Sequence, residues 1–310
     1  METPLPHIAL VSAREALALD EDLPPLVAAL RRAGAHVSTP CWDDATVDWS
    51  AFDLAVLRST WDYVERIAEF RVWARRCALQ TRLFNPPALV EWNTDKHYLA
   101  HLHRAGVSVV PTRFVEPGED AARSLQQFLA GGQGSLSAGQ ACDFDQFVVK
   151  PAIGAGSRDT ARYRRTDAHK ALEHLSRLAE AERRSAMLQP YLASVDTIGE
   201  TAVIYFDGEA SHAIRKGPLL RLDASLVAGL FAPEEISARD PGDDERLLAA
   251  AAHAAIPFAA PLYARIDMIR DGQGAPVILE LEMTEPSLFF AHAPGSADRL
   301  AALLIARSAG

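Results

Sequence analysis

Three carboxylates on two adjoining strands constrain this chain more than any other feature. Residues 262–269 alternate outward and inward, Arg270-Asp271-Gly272-Gln273-Gly274 is turn chemistry, and residues 277–283 alternate again, the pattern of a β-hairpin. A period of two sets Glu280 and Glu282 on one face and Val277, Leu279, Leu281 and Met283 on the opposite, core-facing side. Asp267 then lies on the partner strand at the height of Glu280. Acids this close, partly shielded from water, raise one another's pKa unless a proton or a cation intervenes. Mg²⁺ takes one or two carboxylates and completes its shell with water and substrate phosphates, which suits an open site. The alternative is a solvated strand face, since exposed acids at alternate strand positions are ordinary.

A chain of 310 residues has room for two or three domains at ~100–200 residues each. Its net charge of −10 argues against nucleic acid or a membrane surface as partner. Cys41, Cys77 and Cys142 have no metal-ligand spacing and cannot all pair, which fits a reducing compartment. Met1-Glu2-Thr3-Pro4 lacks the basic start of a signal peptide, and no apolar run approaches the ~20 residues of a membrane span. The expected location is the cytoplasm.

Residues 1–92 read as an N-terminal α/β domain. Strands are expected at 7–12, 36–39, 54–57 and 82–85, with helices at 22–32, started by Asp22-Leu23-Pro24-Pro25, and at 67–80. Open parallel sheets bind ligands beyond the carboxyl ends of their strands, and Arg58-Ser59-Thr60-Trp61-Asp62-Tyr63 follows the third strand. Arg58 suits a carboxylate and Asp62 an amino group; alternatively Trp61 and Tyr63 pack over the sheet edge and the charges are solvated. Residues 93–113 connect, with a helix at 95–105 capped by Asn93-Thr94 and a strand at 107–112. Residues 114–190 form a central α+β lid domain: helix 120–129, a Gly/Ser tract at 131–140, strand 146–150, loop 151–160, helix 167–182 and strand 186–188. Residues 191–310 open with strands 200–206 and 209–216 joined at Asp207-Gly208. A polar excursion at 221–246 of lid-like length follows, then a helix at 244–255, the acidic hairpin and a closing helix at 297–306.

The loop Lys150-Pro151-Ala152-Ile153-Gly154-Ala155-Gly156-Ser157 follows a Phe-Val-Val strand, and its glycines let backbone N–H groups approach an anion. Its lysine precedes the glycines, so it is not a Walker A loop, and it lacks the dinucleotide Gly-x-Gly-x-x-Gly spacing. A dehydrogenase is disfavoured because no such fingerprint follows the first strand. Taken alone the loop is compatible with a plain turn. The ordered series Lys96, Lys150 with its glycine loop, Gln189-Pro190-Tyr191-Leu192, Asp267 and the Glu280/Glu282 pair resembles the ATP-grasp ligases over roughly residues 90–290. It is most similar to the glutathione-synthetase and ribosomal-protein glutamate-ligase type, through Met187-Leu188-Gln189-Pro190-Tyr191-Leu192 and Thr284-Glu285-Pro286-Ser287. That resemblance implies an α/β and α+β molecule of three domains, with the nucleotide between the central lid domain and the C-terminal domain.

The resemblance further implies that Lys96 and Lys150 contact the nucleotide phosphates and that Gly154, Gly156 and Ser157 fold over them; solvated lysines are the alternative. Gln189, Tyr191 and Leu192 would form the hinge that meets adenine, with Glu200 near the ribose and Asp196 as a second candidate. Arg215 or Lys216 would face the transferring phosphate or the substrate carboxylate. Adjacent strand residues point to opposite faces, so one of the two is expected at the site, and the guanidinium fork favours Arg215. Asp267, Glu280 and Glu282 would hold Mg²⁺ with ATP. Where relatives commonly have Glu-x-Asn, this chain has Glu280-Leu281-Glu282, an added charge that strengthens metal attraction or leaves one acid protonated or paired with Arg265 or Lys216. Ala202 replaces the usual arginine after the Gly-acid pair, which argues against a glutathione-like substrate.

Arg58-Ser59-Thr60-Trp61-Asp62-Tyr63, together with Glu280-Leu281-Glu282-Met283-Thr284-Glu285-Pro286-Ser287, also resembles the cycloserine-forming synthetase branch of the ATP-grasp proteins. Residues Arg58 to Tyr63, with Glu285 and Ser287, would then contact a small amino-acid-like substrate. The implied activity is ADP-forming C–N ligation through an acyl phosphate, including ring closure within one molecule. A peptide-type ligase acting like a glutamate ligase or a D-Ala-D-Ala ligase, and a nucleotide-binding regulatory protein without turnover, are the alternatives. A homo-oligomer is compatible with the sequence.

Overall fold

The structure, a computed structural model, describes residues 5–131, 144–222 and 234–308. The N-terminal tetrapeptide, Cys142, residues 132–140 of the Gly/Ser tract and residues 223–233 of the polar excursion lie outside it.

Among the described residues three sheets carry the chain. The first has the order β2-β1-β3-β4, all parallel, from β1 (His7–Val11), β2 (His36–Ser38), β3 (Leu54–Leu57) and β4 (Arg82–Phe84). Such strands need cover on both faces, and alternate residues of β1 divide accordingly. Ile8 and Leu10 meet α1 (Leu23–Arg32) and α9 (Ser296–Ser308), whereas Ala9 and Val11 meet an aromatic layer of Trp42, Trp49, Phe70 and Trp73 that includes α2 (Ile67–Ala78). Ile204, Phe206 and Tyr263 of the third sheet join the Ile8 cluster, so the first and third sheets share one core.

The second sheet is antiparallel, β5-β8-β6-β7, built from β5 (Arg113–Val115), β6 (Gln146–Pro151), β7 (Ala161–Arg164) and β8 (Ala186–Pro190). Helices α5 (Ala121–Leu129) and α6 (Ala168–Ser176) pack on one of its faces. The third sheet, β11-β10-β9-β12-β13, is also antiparallel. Its strands are β9 (Glu200–Phe206), β10 (Glu209–Lys216), β11 (Ile236–Ala238), β12 (Tyr263–Arg270) and β13 (Pro276–Glu282), with α8 (Asp243–Ala254) against it.

Three local expectations are corrected. The helix expected at 95–105 is shorter, α4 (Tyr98–Arg104), and an unanticipated helix, α3 (Pro87–Asn93), precedes it, opened by Pro87 at a first helical position, where its missing N–H costs nothing. The apolar run 107–112 is not a strand; Val109 makes a single bridge to Ile278 and the strand starts at Arg113. Strands β7 and β11 and the one-turn α7 (Ser194–Thr197) were not anticipated.

The hairpin register pairs Asp267 with Glu280 as expected, but a bulge at Asp267/Met268 leaves Leu279 without a partner. An extra residue re-aims the side chains around it. Ile278, Leu281 and Met283 therefore enter the core with Ile266 and Met268, while Val277 and Leu279 pack with Val110 and Ile269 near Tyr191 and Leu192. This corrects the single core face expected for Val277, Leu279, Leu281 and Met283.

Candidate active site

Two buried asparagines fix the hairpin that carries the acids. Asn85 donates to the carbonyls of Tyr263 (3.1 Å) and Met283 (2.7 Å) and accepts from the amide of Leu262. Asn93 donates to Leu281 O and accepts from the amides of Met283 and Thr284. Sequence reasoning saw Asn93 only as a helix cap and passed over Asn85, because their partners lie about 180 residues away.

On that frame each acid meets a cation of the protein. Asp267 is 1% exposed. Its Oδ2 accepts from Lys216 Nζ at 2.6 Å and its Oδ1 from Arg265 Nε at 2.9 Å. Burial pushes its pKa up, but Arg265 and Lys216 outweigh that and hold the carboxyl at about 2. Glu280 pairs with Lys96 at 2.9 Å; against burial, Lys96 and Lys150 keep it below the usual carboxylate range. Glu282 accepts from Arg265 Nη2 at 2.5 Å. Burial pushes Glu282 up to about 8 against the pull of Arg265, with Glu280 and Asp267 adding to the rise. Among the described residues no three His, Cys, Asp or Glu side chains surround one point as ready metal ligands. Glu280 and Glu282 keep 24% and 26% of their side chains open to the cleft, whereas both oxygens of Asp267 are already bonded. Asp267 thus holds Lys216 and Arg265 in place, with both of its oxygens engaged in ion pairs.

The choice between Arg215 and Lys216 falls to the lysine. In β10 Lys216 lies opposite Glu200 and bonds it at 3.0 Å, and burial raises the Glu200 pKa despite that lysine. Arg215 points to the other face, where its Nε donates to Ile198 O at 2.7 Å. The alternation was legible, but the face was not, since it depends on how β10 pairs with β9.

One cavity of about 590 Å³ joins these groups to the second sheet and to the loop after β3. At one end lie Gln189, Tyr191 and Leu192, walled by the apolar Val148, Ile269 and Leu279, three residues that sequence reasoning did not assign. Gln189 is turned inward, its amide donating to Thr112 Oγ1 at 2.8 Å. Asp196 does not reach the cavity: it takes the Tyr191 hydroxyl and the Arg162 guanidinium, which also lies 3.4 Å from the Tyr191 ring centroid. In the middle, Lys96 Nζ donates to Gly154 O at 2.7 Å, and Gly154, Gly156 and Ser157 line the wall. Gly156 and Ser157 both have φ near +60°. Arg158, the next residue, pairs with Glu65 beside the first sheet. Lys150 lines the cavity, and burial lowers its pKa to about 8.

At the far end Trp61, Tyr63, Glu285 and Ser287 line the cavity. Trp61 Nε1 donates to the Glu285 carbonyl at 3.0 Å. Burial raises the Glu285 carboxyl to about 7, with a hydrogen bond from Tyr63 opposing the rise. The rest of the expected substrate loop turns away. Arg58 is fully buried and donates to Pro286 O, Ser59 bonds Ser12, Thr60 is buried, and Asp62 accepts from Trp42 Nε1 at 2.8 Å. The two aromatic residues line the cavity, while Arg58 is buried on the Pro286 carbonyl and Asp62, half-buried, holds the Trp42 indole.

The chain is similar to known proteins over nearly its whole length. It is 41% identical over 305 residues to the cycloserine biosynthesis protein DcsG of Streptomyces lavendulae, covering 97% of this chain and 98% of that protein. The crystal structure of D-cycloserine synthetase DcsG superposes with a TM-score of 0.89 at 40% identity over 97% of this chain and 99% of the other. D-alanine–D-alanine ligase from Bacillus anthracis, complexed with ATP, shares the fold at a TM-score of 0.68 and 15% identity, over 99% and 98% of the two chains. Residues 8–85 match the family described as the N-terminal domain of D-cycloserine synthetase DcsG. With lysines and acids from two sheets converging on one cleft, and with likeness running from end to end, the chain belongs to the D-cycloserine synthetase family of ATP-grasp ligases.

Proposed function

We propose that the chain uses ATP and Mg²⁺ to activate the carboxylate of one small amino-acid-derived molecule as an acyl phosphate, which a nitrogen of the same molecule then attacks to close a ring, releasing ADP and phosphate. The observation that carries this reading is one cavity that Lys96, Lys150, Lys216, Arg265, Glu280 and Glu282 all line. A nucleotide fits the donors present. The Lys150 ammonium, whose pKa burial draws down to about 8, is held more firmly in its charged form beside an anion. The apolar slot at Tyr191 and Leu192 suits a flat base. Mg²⁺ fits Glu280 and Glu282, the two hairpin acids that keep part of their side chains open to the cleft, and when bound it supplies charge neutralisation on the transferring phosphoryl group.

The residues of the chain do the rest. Lys96 ties the glycine loop to Glu280, so the wall over the phosphates and the metal-binding edge are set together. Lys150 and Lys216, both buried, would face the negative charge of the phosphates, and charge fixed in advance is what phosphoryl transfer needs. Asp267 and Glu200 hold the Lys216 ammonium. Tyr63, whose hydroxyl burial keeps far from ionising, fixes Glu285, which recognises the substrate ammonium. One compact far end suits a ring closure, in which the nucleophile is already tethered; a peptide-type ligase needs space for an acceptor as well.

The test is ADP release by the purified protein, with and without Mg²⁺, across plain amino acids and O-substituted serines. ADP release confined to O-substituted serines in the presence of Mg²⁺ is expected. Release of AMP, or tight ATP binding with no phosphate release for any of these substrates, contradicts the reading.

A further inference from the structure

Asp22 opens α1 as its N-cap, and a carboxylate there ordinarily accepts from the N–H groups two or three residues on. Those positions are Pro24 and Pro25, which have no N–H, and Asp22 makes no cap hydrogen bond to its own helix. Its oxygens take three successive backbone amides from the far end of the chain instead: Leu288 at 2.5 Å, Phe289 at 3.0 Å and Phe290 at 2.8 Å. Successive N–H groups around an anion form a nest. Phe289, at its centre, has φ 55° and ψ 44°, a conformation that a bulky residue keeps only where its surroundings impose it.

The same segment is held from two further sides. Arg58, fully buried, donates to Pro286 O at 3.2 Å and brings its Nη2 to 3.8 Å from Asp22. Arg265 donates to Ser287 O at 3.2 Å and lies 5.5 Å from the Phe289 ring centroid. Glu285 and Ser287, the two residues of this segment assigned to the substrate, line the cavity beside these ties.

We infer that Asp22, backed by Arg58, is a positioning residue: it fixes residues 285–290 in the conformation that presents Glu285 and Ser287 to the substrate, and it leaves the nucleotide end untouched. The inference rests on the reading of that end as the substrate end. The two prolines are part of the device, because they deprive Asp22 of local donors and commit its carboxylate to the distant loop.

The test uses the full chain with three readouts: backbone amide exchange, affinity for D-cycloserine as a probe of the substrate end, and affinity for MgATP. In Asp22→Asn, which turns one acceptor into a donor facing N–H groups, the amides of 288–290 are expected to exchange about tenfold faster. D-cycloserine affinity falls about tenfold, and MgATP affinity stays within about twofold. Arg58→Lys, read by the same split, carries the test if Asp22→Asn does not fold. Unchanged exchange and D-cycloserine affinity, or equal losses at both ends of the cavity, overturn the positioning role. Glu285→Gln separates this from the underlying reading: if the parent binds D-cycloserine and Glu285→Gln binds it equally well, the substrate-end assignment fails, and the inference with it.

Discussion

Lys216 and Arg265 show how much of this site is charge held by charge. Lys216→Met leaves Asp267 and Glu200 buried beside a missing cation, and breaking such pairs costs about 3–5 kcal/mol. A large fall in Tm and loss of turnover are expected, whereas Arg215→Ala, on the opposite face, changes kcat by less than about threefold. Equal effects of the two changes on turnover would contradict the assignment. Glu280→Gln should lower kcat/KM by about 10²-fold or more, as removal of a transition-state charge contact does elsewhere. A pH effect arises away from the site. His174 is 6% exposed with Nδ1 at 3.0 Å from the Tyr163 hydroxyl, and burial, with Arg177, pushes its pKa from 6.5 to about 4. The unfolded chain therefore binds this proton more readily, so the stability tied to neutral His174 is complete above about pH 6.5 and is lost as pH falls towards 4. Tm measured against pH should fall across that window and flatten in His174→Gln; parallel curves would contradict it.

Gly199 controls the element that delivers Lys216. Its φ is +81°, and an added Cβ would stand 2.5 Å from Lys216 O, so Gly199→Ala displaces the end of β10. A cost of about 1–3 kcal/mol, read as a lower Tm, is expected together with lost turnover; full activity would show that the end of β10 tolerates the shift. At this scale the sequence was informative wherever the signal was local. The hairpin, its register at Asp267 and Glu280 and the pair β9 and β10 followed from alternation and turn residues, and the strand at Leu54–Leu57 from its apolar run. What escaped depended on distant partners: the bulge that swings Leu279 towards the hinge, the face taken by Arg215, and the inward turn of Arg58 and Asp62. Asp22 read as a helix start, and it is one, but its bonding partners lie more than 260 residues away.

Across the whole molecule, the cavity exists because the first and third sheets share a core while the second sheet meets them through Lys96, Arg158 and Arg162. Ligand that binds across such a cleft stabilises the folded chain by about 2.7 kcal/mol at a hundred times its Kd. ATP with Mg²⁺ should therefore raise Tm more than ATP alone, and Glu280→Gln should abolish the difference made by Mg²⁺; an unchanged difference would remove the metal from Glu280. The ordered series of lysines, glycines and acids was enough to name the ATP-grasp ligases from sequence, the segments at 58–63 and 280–287 pointed to the cycloserine-forming branch, and 41% identity to DcsG over 97% of the chain supports that branch. The central claim is that one cleft closes a ring within one molecule. It is tested most directly by mass spectrometry of the product formed while ADP is counted, with a single O-substituted serine as the only amino acid present. One ADP per product, and a product lighter than the substrate with no second amino acid incorporated, is the predicted result; a heavier, dipeptide-like product, or ADP release only after a second amino acid is added, would contradict it.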